Sequence, residues 1–357
     1  MNIKKMIGLV ACTILSVLLL GACSNSDKVS NNGKKEPSIK VGILIDELGA
    51  DDQAINKESI RGLKEFETDT WTPITIKVSE SSDQYKANIS DMIKEGAKLI
   101  WGVGYSTADS LATTSLEYPD IKFICMENVY GSENMDKNLS SVSFKTEEAA
   151  YLMGYLAADL SKTNKLAYLG GARGVISEKT HYGFMAGVED YKRDNNIEVD
   201  IFIDYVGSFS NSEKGYKLAK NLYNKGADIL FQDAGLSGLG AIEASKEVDK
   251  SIMLAEKKQM ELAGNKALAA IDKDYAYVIN DLSSRYLSGI DLFGKNIELG
   301  FKDKALDLSV DQKALAGFNP QAYRNMLKIK DKLIKGKVSV PFNEKTYKEF
   351  LEGKKGD

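Results

Sequence analysis

Short runs of consecutive apolar residues alternate along most of the chain with longer stretches whose apolar positions recur every three or four residues. The run Ile39–Ile45 predicts a buried strand, and Ala54–Glu67 behind it has helical spacing. Ile74–Ser79, Lys98–Val103 and Lys122–Met126 read as further strands, with helices predicted over Asp83–Glu95 and Ser106–Glu117. The order then repeats. Leu139–Phe144 is strand-like, Glu147–Leu160 is an alanine-containing helix, and Lys165–Leu169 ends at Gly170-Gly171 before a long helix over Glu178–Asn195. Val199–Val206 and Asp228–Phe231 predict strands, Glu213–Lys225 and Leu239–Val248 helices. Strands alternating with helices point to parallel βαβ layers. Two such series in succession predict an α/β fold of two doubly wound lobes. Ligand is then expected beyond the carboxyl ends of the strands, in a cleft that closes by hinge motion. The expected lobes are 39–145, joined by part of 274–300, and 146–272, joined by part of 301–350.

The first residues follow a different pattern. Lys4 and Lys5 precede an apolar run, Met6–Leu20, that is shorter than a bilayer span, with Gly21 and Ala22 after it. That is the layout of a secretory signal over residues 1–22. Leu20-Gly21-Ala22-Cys23 resembles the lipobox of bacterial lipoproteins, which implies lipidation of Cys23 and an anchor in the cell membrane, on its extracytoplasmic face. A lipid chain contributes about 0.8 kcal/mol per buried methylene, so a diacylglyceryl group holds stably where one chain does not. Residues 23–38, rich in Ser, Asn and Lys without apolar periodicity, read as a flexible tether.

Composition narrows the chemistry. Cys12 leaves with the signal and Cys23 carries lipid, so Cys125 alone remains, inside an apolar strand; a disulfide framework or paired-thiol metal site is excluded. The one histidine, His181, argues against a multi-histidine metal centre and is expected at the surface or as a helix cap. The net charge of −4 becomes −6 without Lys4 and Lys5, the opposite of a nucleic-acid-binding balance. Gly170-Gly171-Ala172-Arg173-Gly174 and Gly235-Leu236-Ser237-Gly238-Leu239-Gly240 match neither a dinucleotide fingerprint nor a phosphate loop. They read as glycine turns that admit close backbone approach. No nucleophile elbow or zinc signature is present, so no catalytic residue, cofactor or metal is assigned.

At these stretches the chain resembles the basic membrane protein family, the nucleoside-binding lipoproteins of bacterial ABC uptake systems. The likeness begins near Ile39 and runs to the C-terminus. It is carried by Val142-Ser143-Phe144, Ala150-Tyr151-Leu152-Met153-Gly154-Tyr155-Leu156-Ala157-Ala158 and Gly183-Phe184-Met185-Ala186-Gly187-Val188. Val206-Gly207-Ser208-Phe209, Gly226-Ala227-Asp228, Ala234-Gly235 and Gly336-Lys337-Val338-Ser339-Val340-Pro341 follow in order. The resemblance implies a type I periplasmic-binding-protein fold and a nucleoside ligand, purine favoured.

It also implies site positions. The family's first loop corresponds to Gly49–Asn56, where Asp52 and Asn56 match but Ile55 stands where an aromatic would stack on a base. Glu127 occupies a position that is usually Asp, and so does Glu256, in the ribose-binding motif; Lys273 fits the binding lysine, and Gly235 would contribute its backbone. Charge-assisted hydrogen bonds to carboxylates are the strong, orienting contacts for ribose hydroxyls and base N–H groups. Glu for Asp keeps the charge but extends the reach. Loss of stacking at 55 removes a contribution of about 1 kcal/mol, and Tyr105 and Phe209 are the candidate replacements.

The expectation is therefore a monomeric, membrane-anchored solute receptor that serves a permease and an ATPase and performs no chemistry. The rival readings are an enzyme using the same cleft, and a surface lipoprotein that has become a sensor or structural partner.

Overall fold

The computed structural model describes residues 39–51, 55–131 and 135–353; the signal, the tether with Cys23, and Asp52 lie outside the described residues. Strands β1 (Lys40–Ile45), β2 (Ile74–Val78), β3 (Ala97–Val103), β4 (Lys122–Met126) and β5 (Leu139–Phe144) form one parallel sheet. Strands β6 (Lys165–Gly170), β7 (Asp200–Tyr205), β8 (Ile229–Asp233), β9 (Ser251–Leu254) and β10 (Ala267–Lys273) form a second. β11 (Lys295–Leu299) then returns to the first sheet, parallel to β5, and β12 (Leu306–Val310) to the second, antiparallel to β10. The orders are β11-β5-β4-β3-β1-β2 and β12-β10-β9-β8-β6-β7. The fold is two α/β lobes, as expected from the pattern, in the type I periplasmic-binding-protein arrangement that the resemblance implies.

The helices explain why both sheets read as continuous apolar runs: each is covered on two faces. In the first lobe, residues of α1 (Ile55–Thr70) share a core with β1 and β3, while α2 (Tyr85–Lys94) and α3 (Ala108–Glu117) cover the opposite face. In the second, α4 (Thr146–Leu160) and α5 (Val175–Asn195) lie on one face, and α6 (Ser212–Asn224) and α7 (Gly238–Glu247) on the other, with the short α8 (Gln259–Ala263) beside β9. α9 (Tyr275–Leu287) packs back onto α1, whereas α10 (Gln312–Phe318), α11 (Ala322–Ile334) and α12 (Glu344–Gly353) extend the second lobe's core.

α4 and α5 pack with their backbones close because glycines face them. A Cβ at Gly154 would lie 2.1 Å from the Phe184 carbonyl oxygen, and one at Gly187 would lie 1.9 Å from that of Tyr151. Three crossings join the lobes: β5 to α4, β10 to α9, and β11 to β12.

His181 corrects a sequence expectation. It is neither a surface residue nor a cap but is buried inside the second lobe, its ring stacked on Tyr168 and Tyr182 at 5.1 and 4.6 Å between centroids. Its Nδ1 and the Tyr205 hydroxyl are 2.8 Å apart.

Candidate functional site

Parallel sheets place the loops that follow their strands on one edge, and here the informative side chains lie on those loops. After β1, the Asp46 carboxylate is buried. It accepts hydrogen bonds from the Leu48 N–H (3.2 Å), Asn56 Nδ2 (2.7 Å) and Ser106 Oγ (3.1 Å). Asn56 also donates to the Gly49 carbonyl at 2.9 Å and is wholly buried, so its amide fastens the first loop to the start of α1. Ile55, where a stacking aromatic was sought, packs against the first lobe's core. After β3, Gly104 (φ +84°) turns the chain beside Asp46, and the next residue, Tyr105, is 79% exposed.

Glu127 follows β4 in a left-handed conformation (φ +60°), which is unusual for a residue with a Cβ. Its Oε1 accepts from Lys273 Nζ and from the Tyr275 hydroxyl, both at 2.7 Å. Lys273 ends β10 in the second sheet, so this contact spans the lobes beside the second crossing. The Lys273 ammonium also lies 5.6 Å from the centre of the Phe144 ring, whose edge contact with Tyr275 completes an aromatic wall. Burial works against the Lys273 charge, but Glu127 and Glu256 outweigh it and hold the ammonium above the ordinary lysine range. Burial pushes the Glu256 carboxyl up, with Lys273 pulling against it. The same two influences act on Asp233, which also accepts a hydrogen bond from the Thr180 hydroxyl. Three acids thus surround one cation in a partly dry space, and that cation keeps their charges tolerable.

On the second lobe, Phe209 is 50% exposed and its ring lies across Gly171, where a Cβ would sit 2.3 Å from the ring carbons. Gly235 (φ +56°) borders the same ring, and the Ser237 N–H donates to the Phe209 carbonyl at 3.0 Å. Both glycine-rich turns therefore admit an aromatic close to the backbone. A pocket of about 420 Å³ opens at the crossing, lined by Glu58, Arg61, Glu256, Lys273, Asp274 and Tyr275 among others.

The structure brings Glu127 and Lys273 into contact with one another, with Glu256 close enough to act on both, and sets Phe209 against Gly235 on the second lobe. Tyr105 follows β3 and Asn56 lies in the first turn of α1, both in the first lobe; Asp52 lies outside the described residues. Sequence reasoning missed Asp46, Asp233 and Tyr275. The first two share a signal that was available: an acid at the carboxyl end of an apolar strand, where a doubly wound sheet exposes its loops. Among the described residues no group of His, Cys and acidic side chains is arranged to hold a metal, and no helix is long and apolar enough to cross a membrane.

The family model for PnrA-like ABC transporter substrate-binding proteins matches residues 39–344. Basic membrane protein D of Borreliella burgdorferi is 33% identical over 94% of this chain and 96% of its own length. The ABC transporter nucleoside-binding protein BmpA of Lactococcus lactis is 29% identical over 95% of this chain and 99% of its own. An ABC transporter solute-binding protein from Aeropyrum pernix shares the fold, with a TM-score of 0.68 at 19% identity over 89% of this chain and 98% of that one.

Proposed function

Because the chain belongs to the PnrA-like family of ABC transporter substrate-binding proteins, we propose that it captures a nucleoside, purine preferred, between its lobes and presents it to an ABC permease and its ATPase. Lipid on Cys23 would keep it at the extracytoplasmic face of the membrane. The observation that supports this reading best is the Lys273–Glu127–Tyr275 contact, which sets a charged, hydrogen-bonding floor where the lobes meet. Ribose hydroxyls and ring N–H groups would share the carboxylates of Glu127, Glu256 and Asp233, with Asp52 on the first loop, Asn56 at the start of α1 and the Gly235 backbone adding contacts. Phe209 and Tyr105, exposed on opposite lobes, would cover the faces of the base.

Calorimetric titration with purine and pyrimidine nucleosides, free bases and ribose tests the proposal. We expect stoichiometric binding of a purine nucleoside, recovered unchanged. Absence of binding across the panel would refute it. That result would favour a sensor or structural lipoprotein, a reading to which the internal engagement of Glu127 gives some support. Conversion of the nucleoside would instead mark an enzyme.

A further inference from the structure

We propose that the end of the first lobe bearing the amino ends of its strands rests on the membrane surface, with Trp71 in the headgroup layer. The proposal builds on the reading of Cys23 as the anchor. Trp71 follows α1 and is 90% exposed. Its N–H donates to the Glu67 carbonyl at 2.8 Å, and its φ is +58°. That is the helix-ending left-handed position which glycine normally fills, because a Cβ strains it. A bulky aromatic here adds strain and packs against nothing to offset it, so the side chain is used outside the fold.

The neighbourhood is apolar as well. Ile39 immediately precedes β1, which pairs with β2 in register from Val41 with Ile74, so its exposed side chain lies at the same end as Trp71. Leu287, the last residue of α9, and Ile290 just beyond it are 38% and 50% exposed; the hydroxyl of Tyr286, in the last turn of α9, donates to the Lys98 carbonyl at the start of β3. The other exposed apolar side chains of this lobe include Leu48, Tyr105 and Val129, which belong to the cleft loops at the opposite end.

The occupant follows from where the chain goes. Sixteen residues separate Cys23 from the fold, counting Cys23 itself, and they join it at Ile39. Even at full extension sixteen residues reach at most about 58 Å. A short link of this kind gives an effective concentration in the millimolar range, so even weak interfacial affinity fills the contact. Tryptophan with aliphatic neighbours is the composition that settles at the level of lipid headgroups. Charge is not the driving force: the basic residues at the strand starts, Lys40, Lys98, Lys122 and Lys295, are matched in number by Glu67, Asp69, Asp120 and Asp291 at the same end. Binding should therefore survive salt and need no anionic lipid.

The chain has two tryptophans, and Trp101 is fully buried with its indole N–H donating to Ser283 at 3.0 Å. Quenching by brominated phosphatidylcholine thus reads Trp71. The signal-processed chain carrying Cys23→Ser, which has no anchor, is titrated with vesicles to millimolar lipid. We expect quenching that is unchanged in 0.5 M salt (about a 4 Å screening length). It should vanish in Trp71→Phe and fall at least twofold in Leu287→Ser/Ile290→Ser. The lipidated chain should reach full quenching at far lower lipid. Unquenched emission in both forms overturns the proposal, as does an emission shift that follows protein concentration without lipid, which would identify a second copy as the occupant. Failure of the anchor alone is seen separately, as lack of co-sedimentation at micromolar lipid while the Cys23→Ser chain still shows quenching.

Discussion

Two buried groups in the second lobe should give the protein opposing pH responses that conceal one another. Glu147, at the start of α4, is 6% exposed, and burial, partly countered by Lys179, pushes its carboxyl up to about 7. It lies 3.7 Å from Lys179, which also pairs with Glu298 of β11. His181 is 5% exposed, and burial, with a smaller contribution from Arg173, pulls its imidazole down to about 4. Each tenfold change in proton affinity is worth about 1.4 kcal/mol. Raising Glu147 from 4.5 to about 7 makes ionisation cost the folded state about 3 kcal/mol, a cost absent below pH 4.5 and complete above pH 7. Lowering His181 from 6.5 to about 4 makes protonation cost about 3 kcal/mol, absent above pH 6.5 and complete below pH 4. Between roughly pH 4.5 and 6.5 acidification relieves the first and imposes the second, so the two slopes cancel. Glu147→Gln removes one of them. Its stability relative to wild type should rise by about 3 kcal/mol from pH 4.5 to pH 8, read by urea denaturation at half-unit intervals. His181→Gln should show the mirror profile, gaining about 3 kcal/mol of stability relative to wild type as pH falls from 6.5 to 4; a loss over that range would mean that the imidazole is charged in the fold. Flat difference profiles for both variants, within about 0.5 kcal/mol, would refute the assignment of these groups as buried and shifted.

Lys273→Met should weaken ligand binding at least tenfold by calorimetry, since removing a charged partner from a buried pair costs about 2–5 kcal/mol. Phe209→Ala should reduce affinity about fivefold through loss of roughly 1 kcal/mol of stacking, without lowering the melting temperature of the half-exposed site. Gly187→Ala places a Cβ 1.9 Å from the Tyr151 carbonyl oxygen and should destabilise by about 1–3 kcal/mol, seen as an earlier urea midpoint. Cys23→Ala should release the protein from membranes or leave it unprocessed; equal incorporation of labelled fatty acid by wild type and variant would contradict the anchor.

The alternation of βαβ units was legible because strands covered on both faces must be apolar throughout: the runs at Lys122–Met126 and Leu139–Phe144 match β4 and β5 at both ends. β11 and β12 were not read as strands, since both are edge strands and their polar positions, Lys295, Asn296 and Glu298 in one and Asp307 and Ser309 in the other, break the apolar run. Family resemblance pointed to Lys273 and Glu127, but no local pattern reveals that they touch, because 146 residues separate them. Tyr275 was missed for the same reason. His181 was misjudged because the rings that enclose it, Tyr168 and Tyr205, come from β6 and β7, the strands on either side of α5, and only the packing of α5 on the sheet brings them together. A single polar letter in an amphipathic helix carries no sign of the aromatic box that will enclose it.

The Lys273–Glu127 contact between the lobes also bears on populations. A receptor that opens and closes binds with its intrinsic dissociation constant divided by the fraction of molecules already competent. An ion pair that joins the two lobes, such as Lys273–Glu127, would bias that fraction. Substitutions at Lys179 or Glu298, which join α5 of one lobe to β11 of the other, should then shift apparent affinity with no contact to the ligand. They would act through the dissociation rate of the closed form and leave the chemistry of recognition intact. On the proposed reading, specificity and residence time would be separable properties of this fold: one would lie in the carboxylates of the cleft, the other in the charges that decide how long it stays shut.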